Sequence, residues 1–266
     1  MAVDGDNMWV ANFNDGTVTK LRANDGTVLG TFAASSQPRN VAFDGTNIWT
    51  TSWAGGPLAK LSASDGAVVA TYAIGTRTGG LAFDGANFWV TEFDANAVAK
   101  VRASDGMVLN TFSAAFNRPS DVAFDGVNVW VVNNGSGGGN TVTEVRASDG
   151  SILNTVTVGA GPDAIAFDGA NVWVANQYSN NVTKIRVSDG VVLGTFPTGG
   201  QATGVAFDGT NVWVCNQGSN TLIELRASDG AVLGSFATGI GPNNVAFDGV
   251  DIWVSNSSNP PTVSKF

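Results

Sequence analysis

Three observations predict an all-β fold: a seven-bladed β-propeller of four-stranded antiparallel blades, the last blade lacking its outermost strand. First, a Phe-Asp-Gly-x-Asn-x-Trp block, seen at Phe43–Trp49, recurs along the chain. Its tryptophan returns as Trp9, Trp49, Trp89, Trp130, Trp173, Trp213 and Trp253, at spacings of 40, 40, 41, 43, 40 and 40 residues. Second, a Ser/Asn-Asp-Gly block recurs six times, at Asp25, Asp65, Asp105, Asp149, Asp189 and Asp229. Third, β-branched runs flank these Asp-Gly pairs, which supply the positive φ that tight hairpins require. Four antiparallel strands in roughly 40–45 residues are the repeat of a propeller blade, whereas an open β-solenoid usually repeats in shorter units.

The strands follow in order. In the second repeat the first strand is Val41-Ala42-Phe43, closed by Asp44-Gly45, and the second is Ile48-Trp49-Thr50. The fifth repeat gives the typical second strand, Val172–Ala175, then a third at Val182–Arg186 and a fourth at Val192–Phe196. Length varies in two places only: one residue before Asp125 and three in the Gly135–Gly139 segment. The chain reads as one propeller domain, 1-266, with blades at about 1-38, 39-78, 79-119, 120-162, 163-202, 203-242 and 243-266. Strands one to three have seven copies and strand four has six, so residues 262–266 are expected to present an open edge. Such an edge is a template for self-association.

Composition fits this reading and excludes several functions. The 266 residues carry 13 Lys+Arg against 22 Asp+Glu, a formal charge of −9, with no histidine and one cysteine. Without histidine there is no Ser-His-Asp triad, imidazole base or His-ligated metal. Cys215 alone allows no intramolecular disulfide. The acidic balance argues against nucleic acid, and no run is long and apolar enough for a membrane helix. Yet 14 of the 19 aspartates precede glycine, so much of the acidity is turn chemistry. Charged residues make up 13% of the chain, against about 25% in typical soluble domains, as expected where blades bury both sheet faces.

The tryptophan register reads as inter-blade packing. Lys20, Lys60, Lys100, Lys184 and Lys265, with Glu144 and Glu224, share one slot on the third strand. Arg22, Arg102, Arg146, Arg186 and Arg226 share the slot two residues on, where stacking on the neighbouring tryptophan is expected. Asn12, Asn133, Asn176, Asn216 and Asn256 are expected to start turns by bonding their own backbone. Cys215 falls in a slot of small residues and reads as a buried, inert thiol.

The run Trp173-Val174-Ala175-Asn176, followed by Asn181–Ile185, resembles the YVTN-type and NHL-type propeller repeats of bacteria. The resemblance spans essentially the whole chain and implies the propeller fold, with an exported, extracytoplasmic location as the favoured compartment. One seven-bladed relative, the streptogramin lyase group, is an enzyme that uses histidine and a metal. This chain has no histidine, so that activity does not carry over.

Any grafted site should lie where repeats differ. The Asp-Gly turns barely change, while the second-to-third and fourth-to-first connections change everywhere. Four residues after each repeat tryptophan stand Phe13, Trp53, Phe93, Asn134, Gln177, Gln217 and Ser257. The fourth-to-first loops add Arg39, Arg77 and Arg118, with Phe116 beside the last. Phe13, Trp53, Phe93, Phe116, Arg39, Arg77 and Arg118 therefore form the candidate ligand-binding set. The bland reading has the aromatics plugging loops and the arginines pairing with Glu92, Asp94 and Asp121. Asn40, Asp121, Asp163, Asn243 and Asn244 form an oxygen-rich set, but only two are carboxylates and no calcium-loop motif occurs. No metal and no cofactor is assigned.

The leading function is a non-catalytic scaffold or binding module that takes a protein, peptide or glycan on the variable-loop face. Two alternatives stand beside it: a carboxylate- or metal-dependent enzyme on that face, and a fragment or engineered propeller with no ligand of its own.

Overall fold

The structure, a computed structural model, describes residues 1–266. Alternating apolar positions between Asp-Gly turns produce seven antiparallel sheets, the seven blades of a β-propeller. The chain forms two compact units, 1–122 and 123–266.

The first unit contains three blades. Blade 1 is Ala2–Val3, Asn7–Asn12, Thr17–Arg22 and Val28–Ala33. Blade 2 is Pro38–Phe43, Asn47–Ser52, Leu58–Ser62 and Val68–Tyr72, and blade 3 is Thr78–Phe83, Asn87–Glu92, Ala97–Arg102 and Val108–Phe112. The second unit carries on from the first strand of blade 4, Pro119–Phe124, through Asn128–Asn133, Thr141–Arg146 and Ile152–Thr157. Blade 5 is Pro162–Phe167, Asn171–Asn176, Asn181–Arg186 and Val192–Pro197. Blade 6 is Ala202–Phe207, Asn211–Asn216, Thr221–Arg226 and Val232–Ala237. Blade 7 has only three strands, Pro242–Phe247, Ile252–Asn256 and Thr262–Lys265, as its truncated repeat predicts.

In blades 2, 3, 5, 6 and 7 the first strand begins earlier than the alternation suggests and carries a bulge. In blade 5, Pro162 faces Asn176, and the register then shifts so that Ala164 faces Ala175. Blades 2, 6 and 7 shift in the same way. Such a bulge bends the strand locally and re-aims its leading residues.

The turn end of each blade is organised by one aspartate. In blade 2, Asp44 Oδ1 accepts the backbone N–H groups of Thr46 and Asn47 at 2.8 and 2.6 Å. Its Oδ2 accepts the indole N–H of Trp49 at 2.7 Å. The same indole bond recurs in the other blades, for example Trp130 to Asp125 and Trp173 to Asp168, both at 2.7 Å. Gly45, at φ +93°, closes the turn in a conformation that a Cβ disfavours. The tryptophan is thus buried without orphaning its donor, which would otherwise cost about 1–3 kcal/mol. Within each unit the rings pack on the next blade. Trp49 sits with Leu81, Phe88 and Val90, and Trp173 with Val205, Val212 and Val214.

Lysine, not arginine, attends the tryptophan. Lys60 lies directly opposite Trp49 in the strand register, its ammonium 4.9 Å from the ring centroid. That ammonium donates to the carbonyl of Ala103 in the next blade at 3.0 Å. Lys20 and Lys184 repeat the clasp on Ala63 and Ala227, at 2.7 and 2.6 Å. The expected arginine stacking does not occur. Arg22, Arg102, Arg146, Arg186 and Arg226 instead pair with the aspartate three residues on, at 2.8–3.2 Å. The arginine slot faces the turn asparagine at the strand end, where the turn carboxylate is nearer than any indole.

The asparagines also differ from expectation. Asn133 donates to Thr141 and Thr143, and Asn176 to Asn181 and Thr183, so these amides cross-link neighbouring strands. They end up buried, where hydroxyls across the ladder offer nearer acceptors than their own turn. Cys215 is fully buried in the core, and burial pushes its thiol up, away from thiolate chemistry.

Candidate functional site

The loop end is built on a repeated backbone clip. In blades 2, 3, 5, 6 and 7 the residue four places after the repeat tryptophan donates its N–H to the carbonyl of the residue just before the first strand of its own blade. Trp53 donates to Gln37 and Phe93 to Arg77, both at 3.0 Å, while Gln177 and Ser257 donate to Gly161 and Gly241, both at 2.9 Å. The accepting residue is left-handed throughout: Gln37 at φ +47°, Arg77 at +63°, Gly161 at +62°, Gln201 at +53° and Gly241 at +65°. Arg118 takes the same position, at +46°. Blades 5 and 7 use glycine there. An arginine in that conformation costs on the order of 1 kcal/mol, so Arg77 and Arg118 are not the choice that backbone stability favours.

Their side chains enter a ladder in the first unit. The Arg39 guanidinium lies 4.2 Å from the Trp53 ring centroid, with that of Arg77 at 4.9 Å. Arg77 is also 5.6 Å from Phe93, and Arg118 is 5.6 Å from the same ring. The two rings are 4.9 Å apart and tilted. Three cations and two aromatic rings thus interleave across the loops of blades 2 and 3. Face-on contact leaves a guanidinium its in-plane N–H donors, the groups that recognise carboxylates. Arg77 uses one of them on Asp94, at 3.3 Å, in an exposed pair.

The other two members of the candidate set stand apart. Phe13 is exposed, and no ring or cation contact joins it to the ladder. Phe116 is buried at 8% exposure and packs as a loop plug, as Phe93 largely does at 6%. The ladder therefore presents stacked guanidinium groups around the half-buried Trp53 rather than an arc of bare aromatic faces.

Glu92 lies at the foot of Phe93, in the slot that other blades fill with asparagine or serine. Its cross-strand neighbour is Ala97, so the hydroxyls that satisfy Asn133 are missing here. Its carboxylate covers Gly75, and burial raises its pKa.

The corresponding loops of the second unit are tied to backbone instead. Asn134 donates to the carbonyl of Pro162 at 3.0 Å and caps the short 3-10 turn Gly135–Gly137. Ser257 donates to the carbonyl of Gly241 at 2.6 Å. Tyr178 is exposed, with its ring over Gly137 and Gly161. Sequence comparison passed over it because it falls five places after the tryptophan rather than four. Within the first unit Asn40 donates to Asp121 at 3.3 Å. No three His, Cys, Asp or Glu side chains gather to hold a metal ion. No helix is long and apolar enough to cross a membrane.

No family model matches the chain, and no curated protein matches its sequence. Solved structures do match. Hydrazine synthase from Kuenenia stuttgartiensis superposes with a TM-score of 0.85 at 17% identity, over 100% of this chain and 94% of that one. A streptogramin B lyase structure gives 0.81 at 16%, covering 99% and 91%. A catalytically inactive virginiamycin B lyase variant from Staphylococcus aureus, with quinupristin, gives 0.78 at 18%, covering 96% and 89%. These likenesses establish the propeller fold over the whole chain and, at such identities, the fold alone.

Proposed function

We propose that the chain is a non-catalytic binding module that captures an acidic protein or peptide segment on the loop end of blades 2 and 3. The interleaved ladder of Arg39, Trp53, Arg77, Phe93 and Arg118 carries this reading. Three guanidinium groups held rigid by aromatic rings, on a chain whose formal charge is −9, concentrate positive charge against the overall balance. Stacking fixes each guanidinium before a ligand arrives, so less side-chain entropy is lost on binding. Arginine and tryptophan at the centre of a patch are also the residue types that dominate binding energies. The left-handed conformations of Arg77 and Arg118 support the same view, since glycine would suit the backbone better. A glycan stacked on Trp53 is the runner-up ligand class.

The purified chain screened on arrays of acidic peptides and of glycans tests the proposal. Acidic-peptide hits are expected, and Arg77→Ala and Arg118→Ala should each weaken them about tenfold or more. Glycan hits without peptide hits would reassign the ligand class, and hits untouched by both substitutions would remove the ladder from the account.

A further inference from the structure

The interface between blades 4 and 5 lacks two side chains that close the equivalent interfaces. The first is the lysine clasp. In blades 1, 2 and 5 an ammonium beside the repeat tryptophan donates to a carbonyl of the next blade, at Ala63, Ala103 or Ala227. In blade 4 that residue is Glu144, and the matching carbonyl of blade 5 is that of Val187. The second is the fourth-strand ring. Phe32, Tyr72, Phe112, Phe196 and Phe236 each lie 5.4–5.7 Å from the tryptophan of their own blade. Phe32, Tyr72 and Phe196 also cover the turn glycine of the following blade, Gly66, Gly106 and Gly230. In blade 4 the position is Val156, and Asn154 lies over the turn glycine Gly190 instead. Blade 6 shares the first change, with Glu224 in the lysine slot, but keeps its ring as Phe236.

Beside Glu144 lies an open groove of about 580 Å³ at the Asp-Gly turn end of blades 4 and 5. That size suits a small organic ligand. Its wall holds Asp125, Asn128, Glu144 and Ser188, with apolar surface from Leu153 and Phe167. Glu144 is 93% buried by its 7% exposure, and Asn128 donates to its Oε1 at 2.8 Å. Its Oε2 takes no hydrogen bond. In blades 1, 2 and 3 the turn aspartate stands 3.8–3.9 Å from the lysine ammonium. Blade 4 keeps that aspartate, as Asp125, and adds a second carboxylate where the ammonium itself would be. The cation is missing from a place whose other parts, elsewhere in this chain, receive one, while the ring's place over the turn glycine is taken by Asn154.

We propose that this groove binds a small arylalkylammonium, its ammonium held between Glu144, Asp125 and the carbonyl of Val187 and its ring laid against Leu153 and Phe167. The site is independent of the loop-end reading, shares no residue with it, and stands or falls separately.

Titration of the full chain with phenethylammonium chloride, followed by amide and side-chain NMR shifts, tests the proposal. Saturable shifts at the Asn128 side chain and the Val187 and Ser188 amides are expected. Neutral 2-phenylethanol and ring-less butylammonium should each bind at least about tenfold more weakly. Glu144→Lys restores the residue that other blades carry, so the variant should fold, melt no lower than the parent and lose saturable binding. Absence of saturation in the parent chain overturns the proposal, as does binding unchanged in Glu144→Lys. Equal affinity for 2-phenylethanol would overturn the ammonium assignment, and equal affinity for butylammonium that of the ring.

Discussion

The two ends of each blade answer to different constraints. At the turn end a single arrangement recurs: an aspartate that caps its own turn and accepts an indole N–H, as Asp44 does for Trp49. Nearly every part of it is needed by another part, so it changes little from blade to blade. At the loop end only the backbone clip is held constant, and the side chains on it range from the stacked arginines of blades 2 and 3 to the backbone-tied Asn134 and Ser257. A turn end bound up in its own stability leaves the side chains of the loop end free to vary.

The sharpest way to break this contrast is Asp44→Ala. It orphans the Trp49 indole and two turn N–H groups, and should cost about 2–4 kcal/mol in urea unfolding, with peptide binding intact in the folded fraction. Lys60→Met should come next, at about 1–2 kcal/mol, because it removes the bond to Ala103 and the contact with Trp49 while keeping the bulk of the side chain.

Titration gives a third test, with two opposite signs. Burial works against Asp44, Asp84 and Asp248, but hydrogen bonds from the indole, backbone and asparagine N–H groups around them outweigh it and hold their pKa values below the usual carboxylate range. Their contribution is complete above the unfolded pKa and is lost as pH falls through the depressed folded values. Glu92 behaves in reverse, because burial raises its pKa. Its folded state is favoured at low pH, and that advantage is lost as pH rises from the unfolded value through the raised one. Glu92→Gln should therefore raise the unfolding midpoint at neutral pH, with the gain closing below about pH 4. A gain that is the same at every pH would point to packing instead of charge. The smallest effect belongs to Arg186→Ala, which removes an exposed pair with Asp189 and should leave the midpoint unchanged within error.

Much of the fold was legible because turn chemistry is local. Asp44-Gly45 and the tryptophan five residues after each such aspartate announce the hairpins and the blade count without any long-range information. The three-stranded last blade followed from the same count. Errors arose where a side chain chooses among partners that the sequence does not place. Lys60 and the arginine slot two residues on look equivalent in sequence, yet only the lysine stands opposite an indole and within reach of the carbonyl of Ala103, 43 residues away. The groove beside Glu144 was invisible for a similar reason. Glu144 looks like ordinary variation in its own column, and it shares a groove with Phe167 and Val187 only where two blades pack. At the loop end, sequence grouped the arginines that stack on Trp53 and Phe93 but missed the burial of Phe93 and Phe116, which depends on how neighbouring loops close over them.

The most direct test of the loop-end account is the double variant Trp53→Ala, Arg77→Ala, compared with the parent for acidic-peptide binding and melting temperature. The account predicts that binding is lost while the midpoint stays within about 4 °C, the shift expected for a change of about 1 kcal/mol or less. A midpoint that falls well beyond that range while peptide binding persists would contradict it and make the ladder a structural plug.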